Sequence, residues 1–226
     1  MLVSINEVTK TYGMVVALDR VSFTLDKGEF VFLTGPSGSG KTTVVKLLLR
    51  EILPTSGTIK IADWNLNSLK SNEVPLLRRK IGVVFQDFKL LSDRTVFENV
   101  ALGLAVHGKV DTEGLKRIRE VIELVGLSSR SDLFPAQLAG GELQRVCLAR
   151  AIVVKPDILI ADEPTGNLDV TTSWQIVKLI RKIHKSGTTV LMVTHNVDIV
   201  NSFSERVILL KGGKLIRDQK HGKYEF

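Results

Sequence analysis

The sequence predicts an α/β fold with a mostly parallel core sheet, an N-terminal antiparallel β subdomain and an inserted α-helical subdomain. Three observations carry that prediction. Short β-branched runs alternate with helical patterns through most of the 226 residues, the mark of repeated βα units. Residues 1–25 instead alternate apolar and polar positions like an antiparallel edge sheet. Between Phe88 and about Val154 the pattern turns to helix alone.

Taken in order, "GEFVFLTG" (28–35) reads as a buried strand running into a glycine turn, and "KTTVVKLLLREIL" (41–53) as the helix behind it, stopped at Pro54. Further strands are predicted at 57–62, 81–85, 157–161, 188–193 and 206–210. In the helical segment, Leu115, Ile118, Ile122 and Val125 recur at spacings of three and four, one apolar stripe on a helix ending at Gly126. The expected organisation is a core of 1–87 and 155–226 that includes the N-terminal β subdomain, with a helical subdomain of 88–154 set into it.

Composition narrows the function. A hydrophobic content of 44% suits a globular core. The longest apolar stretches, such as Val100 to Val106, are about seven residues, against the roughly 20 needed to cross a bilayer. A single cysteine, Cys147, excludes an internal disulfide framework, and no charged-then-apolar leader opens the sequence, so a reducing cytosol is expected. Cys147 itself reads as a small buried hydrophobe on an amphipathic helix. The net charge of +7 comes from basic residues that are scattered and not interleaved with aromatics, which does not support a nucleic-acid surface.

"GPSGSGKTT" is the strongest chemical signal: Gly35, Pro36, Ser37, Gly38, Ser39, Gly40, Lys41, Thr42 and Thr43 match G-x-x-x-x-G-K-[ST] between a strand and a helix. The glycines let successive backbone N–H groups turn inward around phosphate oxygens, and the helix adds the positive end of its dipole. Lys41 is expected to reach the β and γ phosphates and Thr42 to ligate Mg²⁺, so the chain is expected to bind a nucleoside triphosphate.

Hydrolysis needs more. "DILIADEP" (157–164) ends an apolar strand in Asp162, placed to hold the Mg²⁺ shell, with Glu163 beside it as candidate base for the attacking water. His195, after the apolar strand in "VLMVTHN", could contact a γ-phosphate and steady the water, although a lone histidine at a strand end is more often structural. The catalytic reading is preferred because three strands would then end at one phosphate, at the carboxyl edge of an open sheet. Gln86, after "IGVVFQ", could bridge Mg²⁺ and water; taken alone it is equally a turn residue.

A second glycine-opened helix starts in "QLAGGELQR" (137–145). One phosphate loop already cradles the nucleotide, so this helix start is redundant within one chain but suited to cap the γ-phosphate of another. Two chains facing head to tail would share two sites. At these residues the chain resembles the ATP-binding cassette family, a class of P-loop NTPase whose signature runs Leu-Ser-Gly-Gly-Gln or Leu-Ser-Gly-Gly-Glu. Here it stands as Leu138, Ala139, Gly140, Gly141, Glu142.

The resemblance covers essentially the whole chain, with the motifs in the family's order. It implies an Mg²⁺-dependent ATPase whose Tyr12 stacks on adenine, with a plain core tyrosine as the alternative that its early edge position leaves open. It implies that Gln86 senses nucleotide and signals to an integral membrane subunit, that "GNLD" (Gly166 to Asp169) crosses a homodimer interface, and that His195 is the switch histidine. With "VVFQDFKLLSDRTVFENVAL" (83–102), "ADEPTGNLD" (161–169) and the ending "LIRDQKHGKYEF", the chain is most similar to the family's bacterial cell-division branch. That branch implies a peripheral protein on the cytoplasmic side of the plasma membrane and ATP-driven control of peptidoglycan hydrolases. The alternative is the ATPase of a lipoprotein-release or macrolide-export system, which shares "DEPTGNLD". A soluble cassette of nucleic-acid metabolism would carry long coiled-coil insertions or paired cassettes, and neither is present.

Ala139 departs from the signature serine. A hydroxyl bonded to a charged phosphate is worth about 1.5–3 kcal/mol, so a slower motor is expected, with the N–H groups of Gly140 and Gly141 retained. Leu143 and Asn196 are milder departures.

Overall fold

The computed structural model describes residues 1–106, 108 and 110–224. Two residues of the helical segment, His107 and Lys109, and the last two of the tail, Glu225 and Phe226, lie outside them. Along the chain run β1 (Val3–Tyr12), β2 (Val15–Leu25), β3 (Phe30–Thr34), α1 (Lys41–Leu48), β4 (Ser56–Ile61), β5 (Trp64–Asn65), α2 (Val74–Arg78) and β6 (Ile81–Val84). There follow α3 (Val96–Ala105), α4 (Thr112–Leu124), α5 (Gly140–Ile152), β7 (Ile158–Asp162), α6 (Val170–Lys185), β8 (Thr189–Val193), α7 (Val197–Asn201), β9 (Arg206–Lys211) and β10 (Lys214–Gln219). Contacts divide these into one unit of Met1–Arg78 with Thr189–Phe226, and a second of Arg79–Thr188.

The first unit holds an antiparallel sheet in the order β2-β1-β4-β5. It also holds a mixed sheet in which β3 pairs in parallel with both β8 and β9, and β10 adds antiparallel to β9. All five residues of β3 and of β8 are buried, as expected of parallel strands covered on both faces. Helix α1 is shorter than the predicted 41–53. Arg50 takes a left-handed φ of 55°, and its Nε–H donates to Leu66 O at 2.6 Å. Arg78 donates from Nε to Leu49 O at 2.9 Å, satisfying a carbonyl that a longer helix would have used internally.

In the second unit β6 and β7 pair in parallel, with Val84 opposite Ala161. Helix α3 opens on a capping box: Thr95 Oγ1 accepts from Glu98 N–H at 3.2 Å and Glu98 accepts from Thr95 N–H at 2.8 Å. Helix α4 is capped by Asp111 and stops before Gly126, whose φ of 73° suits glycine. Ile118, Ile122 and Val125 are buried as the periodicity predicts, whereas Leu115 stays 37% exposed and Val121 joins the stripe, because the covered face begins one turn into the helix. Cys147 is fully buried on α5, where loss of solvent pushes its thiol up to about 12. Among the described residues no helix is long and apolar enough to cross a membrane.

Candidate active site

In the first unit, the turn after β3 is built from glycines that the geometry requires. Gly35 has a φ of 145°, and a Cβ there would collide with the Leu210 carbonyl. Gly40, at φ 104°, caps α1, and its Cβ would lie 2.6 Å from Leu18 Cδ2 and 2.7 Å from Ala17 O. Lys41 is nearly buried and folds back over the loop, donating from Nζ to Gly35 O at 2.7 Å and to Pro36 O at 3.0 Å. Pro36 O also accepts from Ser39 N–H at 3.2 Å. The Ser39 hydroxyl is buried with no hydrogen-bond partner among the described residues. A close-backed glycine loop, an ammonium curled over it and an orphaned buried hydroxyl fit a polyphosphate. Ser37 and Gly38 are exposed on the loop, Thr42 is exposed in the first turn of α1, and Thr43 is half-buried behind it.

His195 leaves β8 beside this loop, since β8 is the direct neighbour of β3 with Leu33 opposite Val193 and Thr194 N–H bonded to Leu33 O at 3.1 Å. Its side chain is exposed. Asn196, next to it, is the N-cap of α7 and accepts from Ile199 N–H at 3.0 Å. Tyr12 ends β1 with 46% of its surface exposed and the Lys10 ammonium 5.1 Å from the ring centroid, so the ring is outside the core.

The second unit carries the remaining residues. Gln86 and the pair Asp162–Glu163 leave the neighbouring strands β6 and β7 at the same edge. Glu163 sits in the left-handed region at φ 47°, a conformation that a glutamate adopts only where its surroundings enforce it. Gly166 N–H bonds Glu163 O at 3.1 Å and closes the turn. Gln86 packs directly on this turn: a Cβ on Gly166 would lie 2.8 Å from Gln86 Nε2, and Asn167 Nδ2 donates to Gln86 O at 3.2 Å.

Helix α5 begins at Gly140, with Ala139 exposed as its N-cap. The Glu142 carboxylate accepts from Ala139 N–H at 2.9 Å and from Arg130 Nε at 3.1 Å, and these two contacts hold its carboxyl below the usual range. Gly141 meets α6, where its Cβ would collide with Thr172 Cγ2. A cavity of about 390 Å³ opens at this helix start, lined among others by Gly140, Gly141, Arg145, Asn167, Asp169 and Thr172. Arg145 is fixed there by donating to Gln175 Oε1 at 2.7 Å. Sequence reading missed Arg145, Thr172 and Gln175; Arg145 could have been found as the residue one helical turn after Gly141.

The model of the family described as ABC transporter matches residues 18–166. The chain belongs to that family. It is an ATP-hydrolysing cassette that works with Mg²⁺. Similarity extends beyond the matched segment: the cell division ATP-binding protein FtsE of Bacillus subtilis is 50% identical, covering 99% of this chain and 98% of the relative. FtsE of Mycobacterium tuberculosis is 49% identical over 99% and 98%, and that of Escherichia coli 43% over 95% and 97%. Among solved structures, a dimeric post-hydrolysis state of an ATP-binding cassette bound to ADP and Pi superimposes with a TM-score of 0.88 at 37% identity, covering 99% of this chain and all of the other. A dimeric bacterial ABC transporter cassette gives 0.89 at 38% identity, with 99% and 100% covered.

Proposed function

We propose that this chain is the ATP-hydrolysing subunit of a membrane-associated complex in bacterial cell division, acting as a homodimer with an integral membrane subunit of the FtsX type to regulate peptidoglycan hydrolases. The observation that carries the reading is the near full-length similarity to cell-division FtsE proteins, on a chain with one phosphate loop and one glycine-led helix start whose N-cap is exposed. In this reading the loop from Gly35 to Thr43 binds the ATP phosphates, Tyr12 supports adenine, and Thr42, Gln86 and Asp162 serve the metal. Glu163 orients and deprotonates the attacking water, with His195 at the γ-phosphate. Ala139 to Glu142 would face the ATP of the second copy. Mg²⁺ supplies charge neutralisation on the phosphates when bound. The protein would lie peripherally on the cytoplasmic face of the membrane.

The test is co-purification of the tagged chain from detergent-solubilised native membranes. An integral membrane subunit of the FtsX type is the expected companion. The membrane subunit of a lipoprotein-release or macrolide-export system would replace this reading with the transport one.

A further inference from the structure

We propose that Arg150 is a positioning residue that clamps the segment following Gln86 to α5, so that this segment follows the helix that begins at Ala139–Gly141. The inference rests on the nucleotide roles proposed above for Gln86 and for the start of α5.

Phe88 and Lys89 are consecutive non-glycine residues in the left-handed region, at φ 58° and 50°. Two such residues in series are disfavoured for L-amino acids and persist only where neighbours over-determine them. Here one guanidinium holds both carbonyls of the pair. Arg150 donates from Nη1 to Lys89 O at 2.6 Å and from Nη2 to Phe88 O at 2.9 Å. Cys147, three residues earlier on the same face of α5, adds its Sγ to Phe88 O at 3.2 Å. Lys89 closes the bend with its N–H on Asp87 O at 2.6 Å, and its ammonium lies 3.9 Å from the Phe85 ring centroid.

The far end of the segment is held separately. Asn99, fully buried on α3, accepts from Leu91 N–H at 2.9 Å and donates to the carbonyls of Leu91, Arg94 and Thr95 at 3.0, 2.9 and 3.0 Å. The segment therefore has one anchor on α3, and at the end next to Gln86 it is tied to α5. A rigid helix transmits displacement along its axis, and a planar two-pronged donor fixes both carbonyls in orientation as well as position. When the N-terminal end of α5 engages phosphate, Arg150 carries that shift to residues 87–89.

The experiment measures hydrogen exchange over residues 86–95 in the full-length protein with and without ATP and Mg²⁺, in Glu163→Gln and in the same chain carrying Arg150→Lys or Arg150→Ala. Light scattering runs in parallel. The expected result is an ATP-dependent change at 86–95 in Glu163→Gln that falls about fivefold or more in both double variants, while ATP still drives dimer formation and the protection of α3 and α5 is kept. Arg150→Lys retains the charge and loses the fork, so it separates geometry from electrostatics and guards against an alanine variant that fails to fold. An unchanged ATP response in the double variants overturns the inference. Loss of protection throughout α3 and α5 in both variants also overturns it, because Arg150 would then be merely structural. If Glu163→Gln dimerises with no change at 86–95, the clamp transmits nothing and this inference alone fails; if ATP induces neither dimer nor exchange change, the proposed function fails with it.

Discussion

Glu142 accepts the Ala139 N–H at 2.9 Å, which is one half of a capping box whose other half needs a side-chain oxygen that Ala139 lacks. The start of α5 is thus organised by the glutamate alone, and its exposed N-cap presents a methyl group where the family signature has a hydroxyl. Ala139→Ser is expected to stabilise the nucleotide-free protein by about 0.5–2 kcal/mol through the completed cap. If the same hydroxyl also reaches the partner's phosphate, ATP-driven dimer affinity rises about tenfold or more. Thermal unfolding without nucleotide and a dimer midpoint with ATP separate the two effects. A higher melting temperature with an unchanged midpoint would confine serine to capping.

Gly141 tests the fit of α5 against α6. Replacing glycine by alanine in a helix ordinarily stabilises by about 1 kcal/mol. Here the added methyl collides with Thr172 Cγ2, on a β-branched side chain with little rotamer freedom. Gly141→Ala is therefore expected to destabilise by about 1–3 kcal/mol, and Thr172→Ser, which deletes that methyl, to restore most of the loss. Denaturant unfolding of both single variants and the double variant measures it. Independent, additive effects would show that the two residues do not meet.

The Glu142 carboxyl is lowered by the Ala139 N–H first and by Arg130 second. A depressed acid contributes stability above its unfolded value, near the ordinary 4.5, and that contribution is lost as pH falls through the lower folded value. Glu142→Gln should flatten the acid limb of the stability profile below pH 4.5 relative to the parent, leaving its shape at neutral pH unchanged. An identical acid limb in the two proteins would contradict the assignment.

Cys147 is raised from 9.0 to about 12 by burial, so at neutral pH its thiolate fraction falls about a thousandfold below that of a free thiol. Burial and the smaller thiolate fraction together should make alkylation much slower in the native state than in denaturant, where it becomes rapid. The sign for stability follows: the thiol's contribution is intact below about 9 and declines as pH rises toward 12. Native alkylation at the rate of a small thiol would place Cys147 at the surface.

Much of this architecture is legible locally. The phosphate loop is readable because its glycine conformations and its lysine lie within one turn of chain, and strands β3, β7 and β8 because each is a continuous apolar run. What escaped the sequence depends on partners distant along it. Helix α1 ends at Leu48, where Arg78 takes the Leu49 carbonyl, and the carbonyls of the bend at Phe88 and Lys89 are held by Arg150, about 60 residues away. The left-handed Glu163 has no signal in residue type, since only glycine, asparagine and aspartate advertise that conformation. Arg145, Thr172 and Gln175 gather around Gly141 only once α5 packs on α6.

The central claim, that the start of α5 serves the nucleotide of a second copy, is tested most directly by light scattering of Glu163→Gln with ATP and Mg²⁺. Conversion to a two-chain assembly that disperses when ATP is removed is the predicted result, because an interface built around nucleotide is weak without it. A mass that stays monomeric across a wide concentration range, with ATP bound, would contradict it.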